Sequence, residues 1–569
     1  MRLKTTVVQL VGLVAGFMAC ADEANTFRVT PYVQHPAKDA VTLMWLAQTN
    51  GNASVSWWVQ CGAETNTIPS ATEIQPTDRV ANSRFTADGV LQYCRAPELG
   101  YDQSVEEGDN YPSYQRETVG SSKEGAGWSM PYTVPYQYRV RLTGLRSGTA
   151  YGYRVTLAGG ASYEKTFRTS PDGWKNMRFI YYSDSETEPA DNTPSKGRTT
   201  DWTDPATGQG RTYYATQTEA YASNLAAVVS FKPDLIVMAG DLAQKGSRQC
   251  DWDEFWRHNA GPLNDPAGSI PIVASPGNHD YWSYQDGGEA GMKKYMSYFE
   301  YEPNGAAVDD DQQERFHRVD YGPATFLFMD ANNGDDSDYT KDTNRYIARE
   351  NSDYSPYAAP QGRGCRAPDF NPGSAQYAWL EEQLKDAQKK SAFIFVVSHQ
   401  CPYSVGDHGQ PNVPDGASGE FLSGRALRVL EPLFHKYGVT AWLAGHDEMM
   451  ERSTVTGTET CVDGTERPHT LQIWDMGIAG DGLRGGKKID NPQERFRADK
   501  DCPEVYGADG HLTDGGKHYG HLEVSITERE DGAWVATFDP VYEFFTTNEK
   551  GEAVYGGTRH YADKVEICR

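Results

Sequence analysis

Between residues 176 and 455 the chain repeats one pattern: an apolar run, then a short polar loop. The runs are M-R-F-I-Y-Y (177–182), L-I-V-M-A (235–239), F-I-F-V-V (393–397) and T-A-W-L-A (440–444), with a shorter S-I-P-I-V-A at 269–274. Continuous rather than alternating hydrophobicity predicts strands buried on both faces, as in a parallel sheet. Residues 326–329, ahead of Asp330, add another core strand. Helical spacing appears at 215–231, with Leu225, Val228 and Val229 on an apolar side, and at 375–390, with Trp379 and Leu384 facing in. Strand and helix therefore alternate as in a layered α/β domain of the αββα kind. Upstream, residues 26–171 read as all-β: Val41 to Trp45 and Ala53 to Trp57 are short β-branched and aromatic runs, the second alternating. Downstream, 519–524 and 534–538 read as closing strands. The polar stretches 99–130 and 331–370 read as long loops, the second shaping a rim.

Ligands of an open α/β sheet collect beyond the carboxyl ends of its strands. Five loops there carry metal-binding residue types: Asp184 and Glu186; Asp241; Asn278, His279 and Asp280; His399; and His446 and Glu448. A lone Asp after a strand is more often a loop cap. Five such loops in one order are harder to explain that way.

The ordered set S-D-S-E, G-D, G-N-H-D, H and G-H-D-E resembles the calcineurin-like metallophosphoesterase superfamily, over roughly residues 176 to 455. The L-T-G-L-R-S-G-T-A-Y-G-Y-R-V run (142–155) resembles the end of a fibronectin type III-like sandwich, with Tyr151 or Tyr153 anchoring a turn. Such a domain ahead of the catalytic one makes the purple acid phosphatase type the best-matching branch. The resemblance implies an immunoglobulin- or fibronectin-like sandwich over 26–171 and a catalytic domain with a C-terminal extension over 176–569. It implies that Asp241 bridges two metals, one also held by Asn278, His399 and His446, the other by Asp184, Glu186 and Glu448. Two divalent ions, or one trivalent and one divalent, drawn from Mn, Fe, Mg, Ca and Zn, would suit. It further implies in-line attack by a metal-held hydroxide, with His279 protonating the leaving oxygen and Asp280 orienting its ring.

The departures concentrate on one metal. Glu186 and Glu448 stand where the common pattern has histidines, which makes that site all-carboxylate and favours hard ions over Zn; Glu188 is a spare carboxylate nearby. Gln244 occupies the purple branch's tyrosine position, so tyrosinate-to-iron charge transfer should be absent.

Composition narrows the setting. The 569 residues exceed one ordinary core, and a formal charge of −26 with pI about 4.9 excludes general nucleic-acid binding. Arg2 and Lys4 followed by an apolar run to Ala19 read as a signal peptide over 1–21 rather than a spanning helix. Cleavage at Ala19-Cys20-Ala21 frees a soluble protein, exported to periplasm or medium; lipidation of Cys20 is the alternative. Apart from Cys20, eight of the nine cysteines remain (61, 94, 250, 365, 401, 461, 502, 568), which allows four disulfides, Cys61–Cys94 first. The glycine-rich run 476–486 lacks G-K-[ST], and its G-x-G-x-x-G spacing lacks a following helix, so neither nucleotide loop applies. Arg484 within it is the candidate clamp on a substrate oxygen. No G-x-S-x-G elbow supplies a serine nucleophile. The expectation is a phosphomonoesterase, with a phosphodiesterase on nucleotide or phospholipid-type esters as the alternative. The natural substrate and oligomeric state are left open.

Overall fold

The computed structural model describes residues 26–47, 52–60, 136–173, 175–187, 215–246, 251–281, 291–332, 341–343, 367–406, 408–409, 423–486, 491–550 and 552–569, with the backbone of some short strand and helix segments between. The leader, Cys20, Cys61, Cys94, Cys365, Glu188 and most of the two long polar stretches lie outside these residues, as does the Cys250 side chain.

The N-terminal part has two antiparallel four-stranded sheets. One contains β1 (Phe27–Gln34), β2 (Ala40–Ala47), β5 (Asp78–Arg79) and β6 (Tyr136–Thr143), in the order β1-β2-β6-β5. The other contains β3 (Ala53–Val59), β4 (Ser70–Ile74), β7 (Ala150–Leu157) and β8 (Ser162–Arg168), in the order β8-β7-β3-β4. Inward residues of both sheets, among them Val33, Leu43, Trp45, Val55, Tyr138 and Val155, form one core. The Tyr151 hydroxyl accepts the Arg146 N–H at 2.8 Å, closing the turn five residues back as a tyrosine corner does. Tyr153 points elsewhere, donating to the Gly268 carbonyl at 2.7 Å.

That bond belongs to a junction with the rest of the chain. Val33 N–H donates to the Ala267 carbonyl at 2.8 Å, the Tyr32 and Trp256 rings sit 4.2 Å apart, and Arg28 pairs with Asp253. Val29, Tyr32, Met44 and Leu46 share the core of the larger part.

The larger part has two seven-stranded sheets. The first contains β9 (Asn176–Tyr182), β10 (Leu235–Ala239), β11 (Ile272–Ser275), β19 (Gly520–Glu528), β20 (Trp534–Thr547), β21 (Ala553–His560) and β22 (Val565–Cys568). Its order is β11-β10-β9-β19-β20-β21, with β22 also on β20. The second contains β12 (His317–Tyr321), β13 (Ala324–Phe328), β14 (Phe393–Gln400), β15 (Ala441–Gly445), β16 (Met450–Thr460), β17 (Glu466–Met476) and β18 (Glu494–Arg497), in the order β12-β13-β14-β15-β17-β16-β18. Aromatic rings fill the space between the sheets: Phe179 meets Phe326 and Phe395 edge-on at 5.0 Å, and Trp474 stacks on Phe538. Helix α1 (Gln217–Phe231) packs on β19 and β20, while α4 (Ala375–Lys390) packs on β13 and β14. Helices thus flank two facing sheets. The expected start of α1 at 215 moves to 217 because Thr216 and Glu219 form a capping box. Helices α2 (Gln249–Asn259) and α3 (Glu289–Tyr298) join β10 to β11 and β11 to β12; neither belongs to the expected elements.

The expectation of four disulfides is corrected. Cys401, Cys461, Cys502 and Cys568 carry free thiols; Cys401 is buried, and burial first, then nearby acids, push its thiol pKa well up.

Candidate metal centre

Strands β9, β10 and β11 run parallel, as do β13, β14, β15 and β17, so their carboxyl ends share one edge of each sheet. There Asp184 follows β9, Asp241 follows β10, Asn278 and His279 follow β11, His399 lies near the end of β14, and His446 and Glu448 lie between β15 and β16. Loops up to 262 residues apart touch: the His446 N–H donates to Asp184 Oδ2 at 3.0 Å.

One group is tight. His399 Nε2 lies 2.9 Å from Asp241 Oδ2, 2.9 Å from Asn278 Oδ1 and 3.1 Å from His446 Nδ1. The far side of the His399 ring fixes its tautomer, and that of His446 has a hydroxyl that can accept from it. His399 Nδ1 is 2.8 Å from the Ala239 carbonyl and must carry hydrogen to donate there, which leaves Nε2 facing the group. His446 Nε2 is 3.0 Å from Ser423 Oγ, which leaves Nδ1 facing inward. Four donors of mixed nitrogen and oxygen type therefore converge, and they fit a Zn, Mn or Fe(II) ion. Electrostatics agree. Burial pulls the His399 imidazole down, but the Asp241 carboxylate outweighs it and lifts the pKa to about 9. Burial raises the Asp241 carboxyl, and His399 and His279 pull it below its ordinary value. A proton is held where a cation would sit.

A second group is all carboxylate. Oxygens of Glu186, Glu448 and Asp481 lie within 4.8 Å of one another, and Glu186 also groups with Asp241 and His279. Glu186 is buried with neither oxygen hydrogen-bonded. Burial first, then the neighbouring carboxylates, push its pKa well up. Such orphaned oxygens fit a hard cation, the alternative being a bound proton. Asp184 lies outside these groups: its carboxylate takes the His446 N–H, and its carbonyl takes the N–H groups of Gly480 and Asp481 at 3.0 and 3.1 Å.

Besides Asp184, expected as a ligand, two further expected roles change. Asp280 does not orient the His279 ring; His279 Nδ1 sits 2.8 Å from the Gln244 carbonyl. Asp280 is buried and accepts the N–H groups of Gly277 at 2.8 Å and Leu242 at 3.1 Å, tying two ligand loops together. Arg484 is no open clamp: its guanidinium pairs with Glu448 at 2.6 Å. Asp481 and Ser423 were not anticipated. An acid inside the glycine-rich run was the available hint of the first; nothing in the spacing marks the second.

Residues 214–448 match the calcineurin-like phosphoesterase family model, so the chain carries a calcineurin-like metallophosphoesterase domain. Among curated proteins it is 23% identical over 348 residues to "probable inactive purple acid phosphatase 9" of Arabidopsis thaliana, covering 57% of this chain and 45% of that one. An uncharacterized protein of Mycobacterium tuberculosis is 25% identical over 320 residues, covering 55% and 50%. Tartrate-resistant acid phosphatase type 5 of Oryctolagus cuniculus is 34% identical over 76 residues, 13% of this chain and 19% of that one. The chain thus spans about half the length, or less, of these relatives. Among solved structures, a purple acid phosphatase from yellow lupin (Lupinus luteus) seeds aligns with TM-score 0.48 and 15% identity over 90% of this chain and 71% of that one. PhoD aligns with TM-score 0.48 and 11% identity over 95% and 94%.

Proposed function

We propose that this chain is an exported phosphoesterase using two metal ions to hydrolyse phosphomonoesters. The observation that carries the reading is the convergence of Asp241, Asn278, His399 and His446 on one point, with His279 beside it. Those four would hold one cation. Glu186 and Glu448 would hold the other, with Asp241 between and Asp184 bracing the loops. Cations bound there supply Lewis-acid polarisation of the phosphoryl group and a nucleophile from water near neutral pH. His279 donates Nδ1–H to the Gln244 carbonyl, so Nε2 is its exchangeable position and can hold a proton for a departing alkoxide. Asp280 fixes the loop that presents it. The N-terminal sheets are proposed as the fibronectin type III-like domain, on the strength of the Tyr151 turn. Export rests on the 1–21 leader, since four of the cysteines carry free thiols and Cys61, Cys94, Cys365 and the Cys250 side chain lie outside the described residues. Among the described residues no helix is long and apolar enough to cross a membrane.

The diester alternative gains one observation: Arg484, the candidate clamp for a dianion, is engaged by Glu448. A diester carries less charge at phosphorus and needs fewer cationic contacts. The test measures hydrolysis of an aryl phosphate monoester and a bis-aryl phosphate diester after chelation, with metals titrated back. The reading expects metal-dependent turnover favouring the monoester, with His279→Ala losing turnover at native metal content. Turnover favouring the diester selects the alternative. No turnover of either ester at full metal loading ends the phosphoesterase reading.

A further inference from the structure

Asp481 sits in the glycine-rich loop after β17, outside both ligand sets implied by the resemblance. Its carboxylate nonetheless meets those of Glu186 and Glu448, all within 4.8 Å, from three separate loops. Acidic residues do crowd together without a cation, so the cluster alone decides nothing. Glu186 does: it is buried, both its oxygens are unpartnered, and it points into the group. A buried carboxylate in that state must be neutralised by a proton or by a cation.

The three carriers are also fastened to one another. Asp184, two residues before Glu186, receives the N–H groups of Gly480 and Asp481 on its carbonyl. The Arg484 N–H donates to the Glu448 carbonyl at 2.8 Å. Gly482 has φ +73° and lies against the Glu448 carboxylate, where a Cβ would overlap it. The loop is therefore clamped over the other two carboxylates by the chain's own hydrogen bonds. The Arg484 guanidinium on Glu448, 2.6 Å away, is one positive charge among three acids and leaves Glu186 unanswered. Oxygen donors alone, with neither nitrogen nor sulfur, select hard cations that fill their remaining positions with water.

We propose that Glu186, Glu448 and Asp481 form a hard-cation site, taking Ca2+ or Mn2+, distinct from the site bearing His399 and His446. Asp481 is its third ligand, and Glu186 is the residue shared with the middle of the cluster. The proposal rests on the reading of this cluster as a metal centre, but not on turnover.

The test is metal uptake by the chelator-treated full chain, by elemental analysis and calorimetric titration with Ca2+, Mn2+ and Zn2+ in turn. The wild type is expected to take one more equivalent of Ca2+ or Mn2+ than Asp481→Asn, or to bind it at least tenfold tighter. Zn2+ at the histidine site should match in the two proteins, and His446→Ala should show the reverse pattern. Asp481→Glu keeps a carboxylate and should keep the equivalent; with matching melting temperature, it separates ligation from a folding role. Unchanged Ca2+ and Mn2+ uptake in Asp481→Asn overturns the site. Loss of the Zn2+ equivalent along with it does so too, as does loss in both Asp481 variants. A protein that takes both cations but hydrolyses neither ester would sink the phosphoesterase reading and leave this one standing.

Discussion

Replacing Ser423 with Ala should weaken the metal at the histidine site without unfolding the chain. His446 faces the group with Nδ1; with a cation on that nitrogen the ring hydrogen is on Nε2, 3.0 Å from Ser423 Oγ, and both residues are buried. Without the hydroxyl, that buried N–H loses its acceptor, which costs about 1–3 kcal/mol. The ring can escape by moving its hydrogen to Nδ1, but then the lone pair needed for the cation is gone. Either way the cost falls on the metal-bound form. At 1.4 kcal/mol per tenfold, 1–3 kcal/mol is roughly a 5- to 150-fold loss of affinity. That brackets the roughly 10- to 100-fold typical of lost partners behind a metal-binding histidine. The assay is competition for the ion against a chelator of known affinity, with the melting temperature of the metal-free protein as control. Ser423→Thr, which keeps the hydroxyl, should sit near wild type. Unchanged affinity in Ser423→Ala, or equal losses in both variants, would refute the reasoning.

Gly277→Ala should abolish metal binding and destabilise the chain by about 1–3 kcal/mol, because the added Cβ would overlap Asp241 Oδ1 and its backbone N; elemental analysis and thermal melts check it, and native metal content refutes it. Glu451→Gln should remove a pH dependence. Burial lifts the Glu451 carboxyl from 4.5 to about 8, so between those values the folded chain keeps a proton that the unfolded chain has released. The contribution is full below about 4.5 and lost as pH rises through about 8, on the order of a few kcal/mol. Wild-type melting temperature should therefore fall relative to the variant from pH 5 to 8; a constant difference would count against it.

Strand-end placement made most of the site legible. The runs at 235–239 and 393–397 became β10 and β14, residues 375–390 became α4 as read, and Asp241 and His399 stand at the edge where parallel strands end. What escaped depends on contacts that a sequence does not display. The partner of His279 is a backbone carbonyl, present at Gln244 whatever its side chain, so reading the neighbouring Asp280 as the orienter was natural and incorrect. Ser423 lies in a short 3-10 segment 23 residues before His446, and only the fold brings it to that ring. Asp481 comes from a loop whose glycines suggest flexibility, whereas two hydrogen bonds to Asp184 fix it. Helix α2 carries Trp252, Phe255 and Trp256 at helical spacing, but the charged residues between them obscure the stripe.

The backbone gives a separate account of where the fold has been bent to a purpose. Non-glycine residues with positive φ number seven among those described: His35, Asp184, Lys232, Asp241, His446, Glu448 and Leu483. Four are candidate ligands or their braces, and Leu483 lies in the loop that closes over Glu448. Left-handed conformations cost about 1–3 kcal/mol each and persist where the surroundings over-determine them. Here the surroundings are identifiable: the Asp184 N–H donates to the Gly240 carbonyl, the Ser185 N–H to the Asp241 carbonyl, and the His446 N–H to the Asp184 carboxylate. Asp184, Asp241 and His446 are thus each held by a neighbour from another loop, itself strained or next to one that is. Relaxing one would release the others, and the carboxylates they crowd together repel. That crowding gives the fold no stability by itself; protons can relieve it, and a bound cation would relieve it while leaving the carboxylates charged.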